Sequence, residues 1–306
     1  MDLKPVHPDE VKTIISNLKI TSAFGLDEID TFIVKLLQEE ITPAVTHIIN
    51  LSITTGTFPN KWKVSKVVPL HKKDDILNPE NYRPVSIIPV MSKILERVVF
   101  SQVLRYLKDN DLLNPNHHAY RDKHSTTTAM LQMLDGWLQA VETGQMAGVC
   151  MLDMSAAFDV VDHDILIEKM AVYGFSLHSI HWFESYPTGR RQGVSINVVL
   201  STLLPVNSGL PQGSILGPLL YTLFTNELPE VISEQNDHPE NSKIRKITEK
   251  IHPICCYADD TTMTDIASNH SPLSQKLTND FEKISKFIMM NSLKLINNKR
   301  QKRAKT

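Results

Sequence analysis

Three aspartates occupy positions from which their carboxylates could bind divalent metal ions. Asp153 ends the apolar run AGVCML, and Asp259 and Asp260 follow the apolar run ICCYA. Burying a lone carboxylate costs several kcal/mol, so acid at the end of a buried strand suggests a cation beside it. Two such strands side by side would hold two Mg²⁺ ions roughly 4 Å apart, an arrangement that serves in-line phosphoryl or nucleotidyl transfer.

Each of these features also has an ordinary structural explanation. Asp153 alone fits a carboxylate at the end of a strand, and the Asp259–Asp260 pair alone fits a hairpin turn. Carboxylates by themselves do not distinguish a polymerase from a nuclease or a phosphatase. The aspartates therefore indicate nucleotidyl transfer only in combination with other motifs.

The segments that carry the aspartates have the composition of strands. AGVCMLDM predicts a strand of the buried type, and HPICCYADDTTMTDIA predicts apolar strands that flank two aspartates in a hairpin-like setting. Nearer the N-terminus, VSKVVPLHKKDD predicts a strand that runs into a charged turn. The aspartates should therefore lie on a sheet.

Prolines and helical periodicity define the remaining elements. The prolines of NPENYRPVSIIPV exclude a helix and predict an extended segment pinned at Pro84 and Pro89. Residues 228–252 are polar and irregular, which predicts a surface insertion. Strands and long helices in a non-alternating order predict an α+β fold with helices on one face. Apolar spacing predicts helices over residues 8–20, 30–53, 91–110 and 125–144, the last capped by Ser125 and ended at Gly144.

Composition limits the class of protein. Hydrophobic residues make up 42% and charged residues 22% of the chain, as in a globular protein with a sizeable core. No stretch approaches the roughly 20 apolar residues of a membrane span, and the N-terminus lacks the apolar core of a signal peptide. Three cysteines without a CxxC pair argue against a disulfide scaffold or a zinc ribbon. We therefore expect an intracellular protein of the nucleus or cytoplasm, without membrane contact.

The net charge of −2 conceals an uneven distribution of charge along the chain. Lys and Arg predominate over residues 61–123 and 276–306, whereas Asp and Glu predominate over residues 124–275. This order suits a protein that binds phosphates at two places and divalent metal between them. Solvated surface charge would produce the same pattern, so it supports nucleic-acid binding only together with the motifs.

Read in order, the chain resembles the reverse transcriptase domain of non-LTR (LINE-type) retrotransposons over nearly its whole length. A bare YADD box would be weak evidence, whereas several blocks in the family's order make the resemblance specific. The matching blocks are VVPLHKKDD with NYRPVSIIPVMSKILERVV, HHAYRDKHST, CMLDMSAAFDVVDHDIL, SYPTGRRQGVSI with NSGLPQGSILGPLLYTLFTNELP, CCYADDTT and NSLKLINNKR.

The resemblance implies a right-hand polymerase fold with palm and fingers and an RNA-directed DNA polymerase activity. The implied cofactor is a pair of Mg²⁺ ions, with Mn²⁺ as a substitute, and the implied partners are an RNA template, a DNA primer and dNTPs. The implied order is an N-terminal helical segment (1–60) leading into fingers (61–125), a palm (126–300) and a basic tail (301–306). Because the sequence finishes as NKRQKRAKT, we expect the thumb to be absent.

The resemblance assigns the catalytic groups of the palm. Asp153, Asp259 and Asp260 correspond to the metal-binding carboxylates, with Asp153 and Asp259 as the main ligands. Lys299 takes the position of a lysine suggested to protonate the leaving pyrophosphate, although a solvated lysine of a basic tail is the alternative. Met154 and its neighbouring backbone are expected to offer a carbonyl ligand and a triphosphate contact.

The resemblance also assigns contacts to the incoming nucleotide. Phe158, shortly after Asp153, takes the steric-gate position, where an aromatic ring under the sugar C2′ excludes a ribose hydroxyl. A core aromatic residue is the alternative. Lys72 and Arg83 match the fingers positions that bind the triphosphate, with Lys73 as the alternative to Lys72. Without the resemblance, these cations would be ordinary surface charge.

A turn and several arginines complete the implied site. Gln212 and Gly213 belong to a Pro-Gln-Gly turn, in which glycine lets the backbone approach the nucleotide and Gln212 hydrogen-bonds in the minor groove. Arg121, Arg190 and Arg191 are expected to contact phosphates of the template or primer.

Three hypotheses follow. The first is an RNA-directed DNA polymerase that extends a primer with dNTPs. The second is a truncated, non-catalytic remnant that at most binds nucleic acid, which an absent thumb would favour. The third is an RNA-dependent RNA polymerase, which Phe158 opposes because an RNA-making site accepts the 2′-hydroxyl.

Overall fold

A computed structural model describes residues 1–21, 23–119, 121, 123–154, 157–197, 199–233 and 254–295. The helices are α1 (Pro8–Ser16), α2 (Thr31–Leu36), α3 (Gln38–Thr55), α4 (Val90–Asp109), α5 (Thr126–Glu142), α6 (His163–Val172), α7 (Leu177–Ser185), α8 (Leu216–Thr225), α9 (Glu230–Ser233) and α10 (His270–Met290). The strands are β1 (Val64–His71), β2 (Tyr82–Ile87), β3 (Met146–Asp153), β4 (Arg191–Ile196), β5 (Val199–Leu200), β6 (Leu204–Pro205), β7 (Ile254–Tyr257) and β8 (Asp260–Ala267). This mixture confirms the α+β prediction.

Across the described ranges, no helix combines the length and apolar character that crossing a membrane requires.

The chain divides into two compact units, and each is discontinuous in sequence. The first unit comprises Met1–Leu112 and Val161–Leu223, and the second comprises Leu113–Val160 and Phe224–Thr306. The sequence had suggested consecutive segments instead. The assignment of parts of the chain to the fingers and to the palm of a polymerase stays a prediction.

The first unit contains a sheet in the order β2-β1-β4-β5, with β6 also paired to β4. Strand β1 runs antiparallel to β2 and parallel to β4. The predicted extended segment is confirmed for β2, but Pro79–Asn81 forms a short 3-10 turn before it. Proline tolerates the first position of such a turn because it has no amide hydrogen to lose there.

An aromatic cluster forms part of the core of the first unit. The rings of Trp182 and Tyr186 stack at 5.8 Å, and the ring of Phe58 meets each of them edge-on. The indole nitrogen of Trp182 donates a hydrogen bond to the Ser52 hydroxyl at 3.0 Å. The buried indole therefore keeps its polar group satisfied, and it links α7 to α3.

The second unit contains a sheet in the order β3-β8-β7, with antiparallel pairing throughout. Helix α5 begins as predicted at Ser125, whose hydroxyl accepts from the Thr128 amide at 3.2 Å while the Thr128 hydroxyl accepts from the Ser125 amide at 2.8 Å. The helix ends before Gly144.

The prediction of a buried β3 strand is wrong, because only one face of the strand is covered. Leu152 and Gly148 face inward, where Leu273 and Leu277 of α10 lie against Gly148. On the other face, Val149 is 40% exposed and Met151 is 64% exposed. Strand β3 is also an edge of its sheet, so apolar composition alone did not predict its exposure.

An acidic side chain is enclosed between β8 and α10. Asp265 is half-buried, and in the described part of the chain its Oδ2 atom has no hydrogen-bond partner. Burial raises the pKa of Asp265 to about 6, the charge of Asp280 adds to the rise, and Lys276 and Lys283 oppose it. The folded protein therefore disfavours the ionised form of Asp265.

We predict that Asp265→Asn stabilises the protein above pH 6. The free energy of unfolding that Asp265 contributes is fully present below its unfolded pKa of about 3.9 and is lost as the pH rises through about 6. Asparagine mimics the protonated acid, so the variant should unfold at a higher temperature than wild type at pH 7.5, and the difference should shrink towards pH 4.5. Thermal unfolding across this range is the measurement, with exposed Asp135→Asn as the control. Equal unfolding temperatures at pH 7.5 would contradict the prediction.

Candidate active site

The β3–β8 ladder places two of the predicted carboxylates side by side. Asp153, the last residue of β3, is directly opposite Asp260, the first residue of β8. Residues paired in this way share a face of the sheet, with Cβ atoms about 4.5–5.5 Å apart. Two negative charges at that separation repel one another, so the pairing favours a cation between them.

The sequence argument was that a carboxylate buried at the end of a strand suggests a cation beside it. The structure contradicts that argument for Asp153 and Asp260. Asp153 and Asp260 are both exposed to solvent at the ends of their strands, whereas Thr264, further along the same face of β8, is buried and accepts a hydrogen bond from Trp137 of α5 at 3.1 Å. What favours a cation here is the repulsion between neighbouring carboxylates, and burial contributes nothing. Asp259 differs from its neighbour and is half-buried.

The predicted hairpin around the aspartate doublet is confirmed. Strands β7 and β8 are joined by Ala258 and Asp259, with Tyr257 paired to Asp260. Ala258 has a φ of 56°, a left-handed conformation that a non-glycine residue adopts at a cost of about 1 kcal/mol or more. The hairpin therefore places Asp260 in the ladder opposite Asp153 and Asp259 in the turn. The predicted ranking of Asp259 above Asp260 as a ligand stays a prediction.

The donor atoms of these aspartates suit a hard divalent cation. Mg²⁺ and Mn²⁺ both prefer carboxylate oxygens, and the exposed pair leaves space for water and phosphate oxygens as further ligands. Among the described residues, no three His, Cys, Asp or Glu side chains already form a cluster that could hold a metal ion. The backbone thus brings the aspartates near one another, and the predicted two-ion site would require their side chains to converge.

The segment after β3 carries two further predicted site residues. The Met154 side chain is 3% exposed, and its backbone forms an isolated bridge with Leu295. Because Met154 is buried, its predicted carbonyl ligand and triphosphate contact stay predictions. Phe158 is half-buried in the following turn, and Lys299 lies outside the described residues.

A segment that sequence analysis assigned to the fingers belongs to the second unit. Its backbone runs beside β7, since the Cys256 amide donates to the Asn116 carbonyl and the His118 amide donates to the Cys256 carbonyl, both at 2.9 Å. Burial lowers the pKa of His117 to about 4, so this imidazole is neutral at pH 7. The backbone of residues 116–118 therefore supports the strand that leads into the aspartate doublet.

The Arg121 side chain hydrogen-bonds to the main chain of the segment that runs beside β7. One guanidinium nitrogen donates to the Asn114 carbonyl at 2.8 Å and to the His117 carbonyl at 3.3 Å. These bonds give Arg121 a local structural function, and its predicted contact with a nucleic-acid phosphate stays a prediction.

In the first unit, two predicted phosphate-binding cations share one face of a hairpin. Arg83 on β2 is directly opposite Leu70 on β1, and the Lys72 amide extends the ladder by donating to the Asn81 carbonyl at 2.8 Å. Because alternate strand residues share a face, Lys72 and Arg83 lie on the same side. Both are exposed. This register favours Lys72 over its neighbour Lys73 as the partner of Arg83.

The Pro-Gln-Gly turn is held against β2 by its main chain. The Ser86 amide donates to the Gln212 carbonyl at 2.7 Å. Gly213 has a φ of 117°, and a Cβ atom on it would lie 2.6 Å from the Ser86 carbonyl oxygen. Glycine is therefore required at this position by conformation and by space. The Gln212 side chain is half-buried.

The structure buries Arg190, so the prediction that it contacts a nucleic-acid phosphate is wrong. Its side chain is 3% exposed and its guanidinium lies over the rings of Phe58 and Tyr186, 5.3 and 4.3 Å from their centroids. The adjacent Arg191 is exposed and donates to the Leu203 carbonyl at 3.1 Å, so its predicted phosphate contact stays a prediction.

Sequence analysis missed Glu96, a fully buried carboxylate on α4. Its Oε2 atom accepts hydrogen bonds from the Ile215 amide at 2.7 Å and the Leu216 amide at 3.2 Å, just after the Pro-Gln-Gly turn. One signal was present in the sequence, because this acid interrupts the apolar stretch ILERVV of a predicted helix.

Comparison with known proteins relates the chain to polymerases of mobile elements. Residues 70–305 match the family described as reverse transcriptase (RNA-dependent DNA polymerase). The chain is 28% identical over 265 residues to the RNA-directed DNA polymerase from mobile element jockey of Drosophila melanogaster, across 86% of this chain and 28% of that protein. It is 30% identical over 230 residues to the probable RNA-directed DNA polymerase from transposon BS of the same fly, across 75% of this chain and 25% of that protein.

A third relative has a lower identity to the chain. The chain is 23% identical over 264 residues to the retrovirus-related Pol polyprotein from type-1 retrotransposable element R2 of Popillia japonica, across 86% of this chain and 35% of that protein. The chain thus spans 28% and 25% of the length of the two fly relatives.

We predict that Gly213→Ala destabilises the first unit by roughly 2–4 kcal/mol, because a strained φ and a close contact with Ser86 add together. Gly189→Ala is the matched control, since Gly189 also has a positive φ of 72° but an added Cβ would meet no described atom within 4 Å. The control should lose only about 1 kcal/mol. Urea unfolding measures both variants, and equal losses would show that the contact with Ser86 contributes nothing.

Proposed function

Because the chain belongs to the reverse transcriptase (RNA-dependent DNA polymerase) family and its relatives are non-LTR, LINE-type elements, we propose that it is an RNA-directed DNA polymerase core. The observation that carries the proposal is the pairing of Asp153 with Asp260 at the solvent-exposed end of the β3–β8 ladder. We assign that sheet to the palm and the β1–β2 hairpin to the fingers. The assignment rests on the resemblance and on the charges each element presents.

The proposed reaction is nucleotidyl transfer to a primer. The 3′-hydroxyl oxygen of the primer attacks the α-phosphorus of a dNTP, a new phosphodiester bond forms, and the bond to the pyrophosphate breaks. When bound, divalent ions would lower the pKa of the 3′-hydroxyl and neutralise the leaving pyrophosphate. Asp153 from β3 and Asp259 from the turn would be the main ligands of these ions, and Asp260, opposite Asp153 in the ladder, would add a further carboxylate.

The first unit would bind the triphosphate. Lys72 and Arg83 present two cations on one face of the β1–β2 hairpin, and the guanidinium fork of Arg83 suits phosphate oxygens. Gln212 would hydrogen-bond to the newly formed base pair, with its backbone already held by Ser86. Arg121 and Arg191 would contact the phosphates of an RNA template and a DNA primer.

We predict that the double variant Asp259→Ala, Asp260→Ala abolishes primer extension. Removing both carboxylates leaves Asp153 without an acidic partner across the ladder, so the proposed ions lose most of their ligands. The measurement is incorporation of dTTP on a poly(rA)/oligo(dT) substrate with Mg²⁺ or Mn²⁺, where the variant should match the enzyme-free blank.

The matched control is Asp135→Asn, which removes an exposed carboxylate of α5 in the same unit and should keep wild-type extension. A folded wild-type chain that extends no primer would defeat the proposed activity. It would favour the alternative of a non-catalytic family member that only binds nucleic acid. A filter-binding assay with the same substrate would test that alternative.

We also predict that Phe158→Val relaxes discrimination against ribonucleotides. If the half-buried ring lies under the sugar, a smaller side chain opens space for the 2′-hydroxyl. The ratio of kcat/KM for dTTP over UTP should fall roughly 10- to 200-fold, the range that one changed contact in a pocket produces. Phe281→Val, a partly exposed aromatic residue of α10, is the control and should keep the wild-type ratio. An unchanged ratio in Phe158→Val would assign that ring to the core instead.

A further inference from the structure

We propose that Glu96 is a positioning residue: its carboxylate fixes the start of α8 and, through it, the Pro-Gln-Gly turn that carries Gln212. The inference deepens the proposed function and rests on it, because the turn is the part of the first unit assigned to the new base pair. Glu96 itself would touch neither nucleotide nor primer.

The first step of the argument is the burial of the carboxylate. Glu96 is 0% exposed on α4, and most of the other buried residues of that helix are apolar. A carboxylate in such surroundings is costly unless its oxygens are hydrogen-bonded. The Ser92 hydroxyl donates to Oε1 at 3.1 Å, and two amides donate to Oε2. One oxygen of the carboxylate, Oε2, thus accepts both of its hydrogen bonds from the start of α8.

The second step is charge. A negative charge at a helix N-terminus is favourable, because the first amides of a helix have no partner within it. Burial raises the pKa of Glu96, whereas the charge of Arg190 and the bonds from Ile215, Leu216 and Ser92 lower it. Among these causes, the positive charge of the buried Arg190 favours the ionised form of the carboxylate.

The third step connects α8 to the turn. The Ser214 amide donates to the Pro211 carbonyl at 3.0 Å, so the turn closes immediately before the two amides that Glu96 holds. On its other side, the turn is bonded through the Gln212 carbonyl to the Ser86 amide of β2. The turn is thus held at both ends, by a side chain of α4 and by the backbone of β2.

The test is the variant Glu96→Gln, which keeps the size of the side chain and removes its charge. We expect amides 215 and 216 to exchange hydrogen faster, and the Ser86 amide to exchange faster as well, because Gln212 is no longer held in place. In primer extension, KM for dNTP should rise roughly tenfold, the effect of losing a charge-assisted hydrogen bond, with a smaller change in kcat.

Two variants separate positioning from general stability. Val99→Ala makes a cavity in the same helix and should lower the unfolding temperature without changing KM or the exchange of Ser86. Glu96→Gln combined with Arg190→Met removes the cation that Glu96→Gln leaves buried and uncompensated. It should regain unfolding temperature, yet keep the fast exchange at Ser86 and the raised KM.

Two results would overturn the inference: unchanged Ser86 exchange in a folded Glu96→Gln variant, or full recovery of exchange and KM in the combined variant. A wild-type chain that extends no primer would defeat the proposed function instead. In that case the exchange rates at 86, 215 and 216 still decide whether Glu96 holds the turn.

Discussion

The antiparallel ladder between β3 and β8 determines which side chains of the second unit lie beside one another on the face of the sheet away from α10. Successive residues of a strand point to opposite faces, so a slip of one residue would turn every side chain of β3 to the wrong side. The register is maintained from the covered face, where Gly148 leaves space for leucines of α10 and Leu152 is buried. Packing behind the sheet thus places Asp153 opposite Asp260 in front of it.

That arrangement is unfavourable for the isolated fold and useful for the proposed chemistry. Like charges directly opposite on neighbouring strands destabilise a sheet, and the left-handed Ala258 adds strain at the same place. A fold optimised for stability alone would avoid both features. Their coincidence at one hairpin end is the usual sign of a functional site, where local rules are broken in exchange for binding.

The main constraint in the first unit is a turn that requires glycine at position 213. Gly213 can approach the Ser86 carbonyl only because it has no side chain. Main-chain bonds from β2 and the Glu96 carboxylate from α4 hold it instead. Two adjacent arginines therefore lie in different environments. Arg191 is exposed on β4, whereas Arg190 is buried, as is Glu96.

The sequence by itself determined the features that depend on near neighbours along the chain. Helices α4 and α5 were predicted because their apolar spacing and the cap at Ser125 are local, and the ordered motifs identified the family and predicted its catalytic aspartates. Only the tertiary structure decided that β3 is half-exposed, that Arg190 is buried and that the His117 segment runs beside β7. The reason is physical: burial and pairing of these groups depend on residues distant in sequence, such as Glu96 with Leu216 and Asp153 with Asp260. Composition cannot reveal which of two faces such a partner will cover.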